Sequence, residues 1–402
     1  MLTRQGWLVA GGALALVAGG RILGVLELFV VGAATGLLVI VSLVTVYLSR
    51  LRLAVARHVT PPRVYAGNPS RVELSIRNDS ERTTPVLRLF DPVSGTRGAD
   101  LLLSPLDPDV VSRAAYRLPT ERRGIVEIGP LEVIVGDPFG LAASSTEGAP
   151  KTELTVYPRV EEIVPVPHTS GDDPHAGADH PSALGRSGED FYALRPYVVG
   201  DDLRRVHWPS TARRDELTVR QDELPWQGRV TVLLDVRRNA HTPASLELAV
   251  SAAASIITAS WKRRDLVRLI TTDNVDFGFA AGTAHAEAIM EFLATVPASA
   301  GGTLRGVLDQ LGLPGNGGAI VPIVAGIADA ELAGLPRLRG RFAAVTVVHF
   351  LRSSYDPGAP VDNAASTSTR SATIIRVTKD RPFADAWNGT LHRGRRIAVG
   401  VR

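Results

Sequence analysis

Residues Arg229 to Val236 read RVTVLLDV, and Ser245 to Arg264 continue as SLELAVSAAASIITASWKRR. The first run is apolar without alternation, as a strand buried on both faces of a parallel sheet requires. In the second, the polar residues Glu247, Ser251, Ser255 and Thr258 recur at spacings of four, four and three, which predicts a helix with one narrow exposed stripe. Lys262, Arg263 and Arg264 then complement the negative end of its dipole. The runs LVRLITT, AIVPIVAGI, FAAVTVVHFL and ATIIRVT repeat the strand pattern toward the C-terminus. Residues 229–402 are therefore expected to form a doubly wound α/β domain.

Ligands of open α/β sheets sit at the carboxyl ends of the strands, near the switch in strand order, and Asp235 ends RVTVLLDV. No phosphate-binding glycine fingerprint follows a strand, and Gly312, Gly315, Gly317 and Gly318 read as a loop before one. Ser210, His207 and either Asp201 or Asp202 contain the residue types of a hydrolytic triad, although triads are usually assembled from separate loops. The expectation is local instead: Ser210 caps the helical stretch STARRDEL while His207 and Trp208 pack.

Upstream lies GRSGEDFYALRPYVVGDDLRRVHWPSTARRDELTVRQDEL, Gly185 to Leu224, with seven Arg and eight acids among Phe191, Tyr192, Tyr197 and Trp208. Guanidinium forks pair with carboxylates and stack on rings, so the mixture suits a polar docking surface or an internal ion-pair network. The block resembles the signature of the bacterial "domain of unknown function 58" family. The resemblance is carried by Arg186, Gly188 and Phe191, then Leu194-Arg195-Pro196-Tyr197, Gly200-Asp201, Arg204, Trp208 and Ala212-Arg213. DPFGL at Asp137–Leu141 and VYPR at Val156–Arg159 look like further landmarks of that family.

The resemblance implies that the α/β domain is von Willebrand factor A-like, an adaptor fold, and that the partner is a MoxR-type AAA+ ATPase. It names Arg186, Arg195, Tyr197, Asp201, Arg204, Trp208 and Arg213 as interaction residues. In that fold a divalent cation is held by Asp-x-Ser-x-Ser, a distant Thr and a later Asp. Here the motif reads Asp235-Val236-Arg237-Arg238-Asn239, with Thr303 as the distant Thr and Asp329 as a badly aligned third member. Arg237 replaces an oxygen ligand by a positive charge, so Asp235, Asn239 and Thr303 form a degenerate site that is expected to hold no metal.

Residues 185–228 thus form the signature block, and Pro165–Leu184 a linker rich in Pro, Gly, Asp and Ser. His168, His175 and His180 lie in that linker beside Asp172, Asp173 and Asp179, without the spacing that organises a metal centre. Between about His58 and Val164 the runs are short, alternating and punctuated by Pro, Gly, Asn and Asp, which predicts an all-β sandwich over 58–164. Its Asp137-Pro138-Phe139-Gly140 reads as a turn with Phe139 buried.

Residues 1–50 read as a transmembrane helical hairpin. Trp7–Gly20 is uncharged but short, about 21 Å as a helix, and gains length by continuing to about Leu26 with Arg21 snorkelling. Leu28–Leu48 is long enough alone, and Gly32, Ala34 and Gly36 are suited to close helix packing. The connection falls near Gly24. Arg4 precedes the first helix and Arg50, Arg52 and Arg57 follow the second, which places both termini in the cytoplasm and the chain in the cytoplasmic membrane as a multi-pass protein.

The chain contains no cysteine, which excludes disulfides, thiolate metal centres and cysteine nucleophiles. A net charge of +3 gives no argument for nucleic acid, and the acids of the signature block oppose anionic ligands there. The resulting expectation is a multidomain, non-enzymatic, membrane-embedded interaction protein without cofactor. The alternative is a metal-dependent ligand-binding protein or cryptic hydrolase centred on Asp235.

Overall fold

The computed structural model describes residues 1–49, 51–167, 190–197, 206–214, 216–223, 228–312, 317–326, 338–339, 341–359 and 373–399. They divide into two units, Met1–Tyr157 and Pro158–Arg402.

The first unit opens with two helices, α1 (Arg4–Leu23) and α2 (Leu26–Leu48), joined through Gly24 and Val25. Both are long and apolar enough to cross a membrane. Thr3 caps α1, its hydroxyl accepting from the Gly6 N–H at 3.0 Å. Of the three small residues expected to mediate packing, only Gly32 does so. A Cβ there would lie 2.8 Å from the Val17 nitrogen, whereas Gly36 faces open space and Ala34 is exposed.

Ten strands follow: β1 (Leu53–Thr60), β2 (Arg63–Tyr65), β3 (Arg71–Asn78), β4 (Leu87–Asp91), β5 (Ala99–Leu103), β6 (Val111–Arg117), β7 (Gly124–Ile128), β8 (Leu131–Gly136), β9 (Ala143–Ala149) and β10 (Thr152–Tyr157). They form sheets ordered β1-β3-β6, β2-β10-β7 and β5-β4-β8-β9. All pairs are antiparallel except β2 with β10. Alternation is what builds them: Val72, Leu74 and Ile76 of β3, Leu87 and Leu89 of β4, and Leu131 and Val133 of β8 point into one shared core.

Arg57 does not flank the second apolar helix as expected. It sits on β1, buried, and pairs with buried Asp91 at 2.7 Å, while the Tyr116 hydroxyl donates to the other Asp91 oxygen at 2.6 Å. A charge in this position survives burial only because a countercharge and further acceptors meet it. Phe139 also departs from expectation, being 58% exposed. The turn buries Leu141 and Ala142 instead.

The second unit contains β11 (Asp190–Pro196), α3 (Trp208–Arg214), β12 (Thr218–Glu223), β13 (Arg229–Leu234), α4 (Pro243–Lys262), β14 (Leu266–Thr271), α5 (Thr283–Thr295), α6 (Leu304–Leu311), β15 (Ala319–Ala325), β16 (Ala344–Phe350) and β17 (Thr373–Val377). A single helical turn, Arg352–Tyr355, follows β16, and the helix Phe383–Val399 follows β17. Strands β13 to β17 form one parallel sheet ordered β14-β13-β15-β16-β17. Every residue of β15 is buried, in keeping with a sheet covered on both faces.

Helix α4 corrects the amphipathic reading. Glu247 is exposed, but Ser251, Ser255 and Thr258 are buried. The chain after Pro158 covers this polar stripe: the Ser251 hydroxyl donates to the Arg159 carbonyl at 2.7 Å, and the Ser255 hydroxyl accepts from the Glu161 N–H at 2.9 Å. The same segment meets the last helix, where the Trp387 indole donates to the Val164 carbonyl at 2.7 Å and Asn388 Oδ1 accepts from the Val164 N–H at 2.8 Å. Residues 158–164, expected with the β region, therefore belong to the α/β unit. A buried serine on a helix needs partners, and a passing backbone supplies both a donor and an acceptor.

Candidate functional site

The parallel sheet reverses its order between β13 and β15, which directs attention to the carboxyl ends of those strands. Asp235 follows β13 directly and is fully buried. Its carboxylate is held by its own near neighbour. Arg237 Nε lies 3.0 and 3.3 Å from the two oxygens and Nη2 lies 2.9 Å from Oδ2, a forked contact of the kind guanidinium groups favour. The Arg237 side chain is only 12% exposed. The backbone N–H of Arg237 donates to Oδ1 at 3.1 Å, and the Thr272 hydroxyl donates to the same atom at 3.2 Å.

Two further loops fix this arrangement. Backbone bonds join Ser299 to Val236 at 2.7 Å and Arg238 to Ser299 at 2.8 Å, so the loop before α6 packs against the Asp235 loop. Arg352, the first residue of the helical turn after β16, donates to the Asn239 carbonyl at 3.0 Å. Asn239 itself is exposed. Thr303 caps α6, its hydroxyl accepting from the Gly306 N–H at 3.1 Å. Asp329 lies outside the described residues.

His241 closes the Asp235 loop, its Nδ1 3.2 Å from the Ser245 hydroxyl at the start of α4. Burial pushes this imidazole below its ordinary value, and the Arg237 and Arg352 charges act in the same direction against the pull of Asp235. The described donors do not suit a divalent cation: the Asp235 oxygens already face a guanidinium, and the motif positions that would supply hydroxyl oxygens are Arg237 and Asn239. Among the described residues no three His, Asp or Glu side chains converge on one point. Thr272 and Arg352 were not singled out in the sequence. Thr272 stands 37 positions from Asp235, and no local motif links them.

The signature block is partly described. Its strands β11 and β12 pair antiparallel, with Arg195 opposite Val219. The Tyr197 N–H bonds the Leu217 carbonyl at 2.7 Å, and the His207 N–H bonds the Thr218 carbonyl at 2.8 Å. Between these ties α3 begins at Trp208, two residues earlier than expected. His207 therefore precedes the helix, and the 2.8 Å contact of its Nδ1 with the Ser210 hydroxyl is a local contact across the first turn. The Thr211 hydroxyl accepts from the Thr218 N–H at 3.1 Å, fastening the helix to β12.

Contrary to the packing expected for it, Trp208 is 66% exposed, and Arg213 on the same helix is exposed too. Asp201, Asp202, Arg186 and Arg204 lie outside the described residues, as do the linker residues His168, Asp172, Asp173, His175, Asp179 and His180.

No curated protein matches the chain. Among solved structures, the CARDB domain of the PF1109 protein from Pyrococcus furiosus is 14% identical, with 26% of this chain and 93% of that one covered and a TM-score of 0.22. A β-glucosidase from Erythrobacter marinus is 18% identical over 24% of this chain and 15% of its own, with a TM-score of 0.17. The alkylpurine DNA glycosylase AlkC of Pseudomonas fluorescens is 13% identical over 36% of this chain and 42% of its own, with a TM-score of 0.17. Likenesses of this size define neither fold nor function. The family model described as "Protein of unknown function DUF58" matches residues 193–352, a span that takes in the second half of β11, α3, β12 and the Asp235 loop, and it supports the DUF58 family for this chain.

Proposed function

We propose that this chain is a membrane-anchored contact protein without catalytic activity of its own, facing the cytoplasm and working with a MoxR-type AAA+ ATPase. The observation that carries the reading is the exposed face of α3. Tryptophan and arginine dominate binding hot spots, and Trp208 with Arg213 offers both on one helix fastened to a hairpin. Arg195, on the paired strand β11, belongs to the same signature block.

The Asp235 loop supports the same reading differently. An arginine that occupies the carboxylate leaves a polar, rigid rim where a cation would otherwise be held. The alternation of buried parallel strands with covering helices supports a von Willebrand factor A-like character for the α/β unit, an adaptor fold. Arg4, the first residue of α1, and Arg52, beyond the end of α2, support the cytoplasmic orientation.

The test is capture of the ATPase by the full chain in lipid nanodiscs, with the double substitution Arg195→Ala and Trp208→Ala as the comparison. Loss of two hot-spot side chains is expected to weaken binding by at least about 2 kcal/mol, or roughly thirtyfold. Unchanged capture by the doubly substituted chain makes this surface irrelevant to the partnership.

A further inference from the structure

The turn Asp137–Leu141 is fastened to the first residues of the chain. The Thr3 hydroxyl, besides capping α1, donates to the Gly140 carbonyl at 2.7 Å, and the Thr3 N–H donates to the Leu141 carbonyl at 2.9 Å. The N-terminal amine reaches the Ala143 carbonyl at 2.6 Å, and the Ala143 N–H bonds the Met1 carbonyl at 2.9 Å. Contact at Gly6 is so close that a Cβ there would fall 2.0 Å from the Leu141 oxygen. Glycine is the residue that permits such an approach.

The turn is also rigid. Asp137 accepts from the Ala142 N–H at 2.5 Å and the Phe139 N–H at 2.9 Å, and the Gly140 N–H closes onto the Asp137 carbonyl at 3.1 Å. Rigidity with one aromatic left outward, Phe139, has no use in burying a core.

Depth along the helices explains it. Gly6 lies in the first turn of α1, and Ser42, buried on α2, lies near Asp137. Ser42 is six residues inside Leu48, the end of α2, which at 1.5 Å per residue is about 9 Å. Beside it, a cavity of about 440 Å³ is lined by Met1, Leu43, Val44, Val46, Tyr47 and Ser144, so the start of β9 runs along the last turns of α2. The turn therefore stands level with the terminal turns of both apolar helices, which carry the exposed aromatics Trp7 and Tyr47. Aromatic rings at this level partition into the headgroup region of a bilayer.

We propose that the turn Asp137–Leu141 is a second membrane contact, with Phe139 inserted into the headgroup region of the leaflet where α1 begins and α2 ends. The inference rests on α1 and α2 crossing the bilayer and adds to it a part of the β region that touches lipid. It gives Thr3, Gly6 and Asp137 a common role as positioning residues for Phe139.

The absence of cysteine makes the test direct. Single cysteines at Phe139, at Leu37 on the exposed side of α2 and at Leu102 on β5 are spin-labelled in the full chain in phosphatidylcholine–phosphatidylglycerol vesicles. Collision rates with oxygen and with a water-soluble nickel chelate are then compared. The oxygen-to-nickel ratio at 139 is expected to fall between the other two and to exceed that at 102 several-fold. A lipid-like ratio at 37 with equal ratios at 139 and 102 overturns the proposal and leaves the membrane helices standing. A water-like ratio at 37 overturns both.

Discussion

Replacing Arg237 by alanine tests whether the Asp235 loop is built around a guanidinium. In the intact protein Asp235 is fully buried and receives three side-chain contacts from Arg237 between 2.9 and 3.3 Å. After the substitution it keeps one backbone N–H at 3.1 Å and the Thr272 hydroxyl at 3.2 Å. Opposite unit charges about 4 Å apart attract by about 4 kcal/mol at an effective dielectric near 20. Breaking one partner of a buried pair costs about 3–5 kcal/mol, which agrees. Asp235→Ala is expected to cost less, about 1–3 kcal/mol, because Arg237 lies nearer the surface and can reach water. The double substitution Asp235→Ala/Arg237→Ala should then be more stable than Arg237→Ala alone. Urea unfolding of the α/β unit, followed by the fluorescence of buried Trp387 in the detergent-solubilised chain, reads all four corners of the cycle. A loss below about 1 kcal/mol for Arg237→Ala, or losses that simply add, refutes the reasoning. Calorimetry supplies the companion measurement: magnesium binding by the unmodified chain, abolished by Asp235→Ala, has the same consequence.

Two further outcomes follow from neighbouring groups. Because burial holds His241 below its ordinary imidazole value, the unfolded chain binds its proton more readily than the folded one. The stability this represents is complete above the ordinary value and is lost as pH falls through the lower folded value. Unfolding midpoints measured from pH 8 to pH 5 should therefore fall less for His241→Asn than for the unmodified chain, and parallel curves exclude the imidazole as the cause. On α4, Ser255→Ala removes the acceptor of the Glu161 N–H, at a cost of about 1 kcal/mol. Hydrogen exchange at the Glu161 amide should accelerate by roughly fivefold, and an unchanged rate shows that the segment after Pro158 is held by other contacts.

Much of the architecture was legible from local pattern. A long apolar run with few charges is a membrane-helix candidate wherever it sits, and α1 and α2 follow that rule. Uninterrupted apolar runs separated by helical patterns announced the parallel sheet, because burial on both faces leaves no room for alternation. The replacement of a hydroxyl ligand by Arg237 was visible too, since its consequence depends on charge. The serine stripe of α4 was misread because spacing reports that one face differs from the others without saying whether water or backbone satisfies it. Arg57 was misread for a related reason: a basic residue after an apolar helix and one buried opposite Asp91 look the same until a strand 34 positions away comes alongside.

From sequence alone came the two apolar N-terminal helices, the order of β and α/β regions, the lack of thiol chemistry and the handicap of the Asp235 motif as a cation site. These depend on side-chain type and on spacings within one element, which the chain carries before it folds. Only the tertiary structure decided that Arg237 turns inward onto Asp235, that Thr272 joins them, and that Trp208 and Phe139 stay exposed. Each of these is a competition between burial and solvation, and its outcome depends on which distant backbone or side chain arrives to fill the remaining hydrogen bonds.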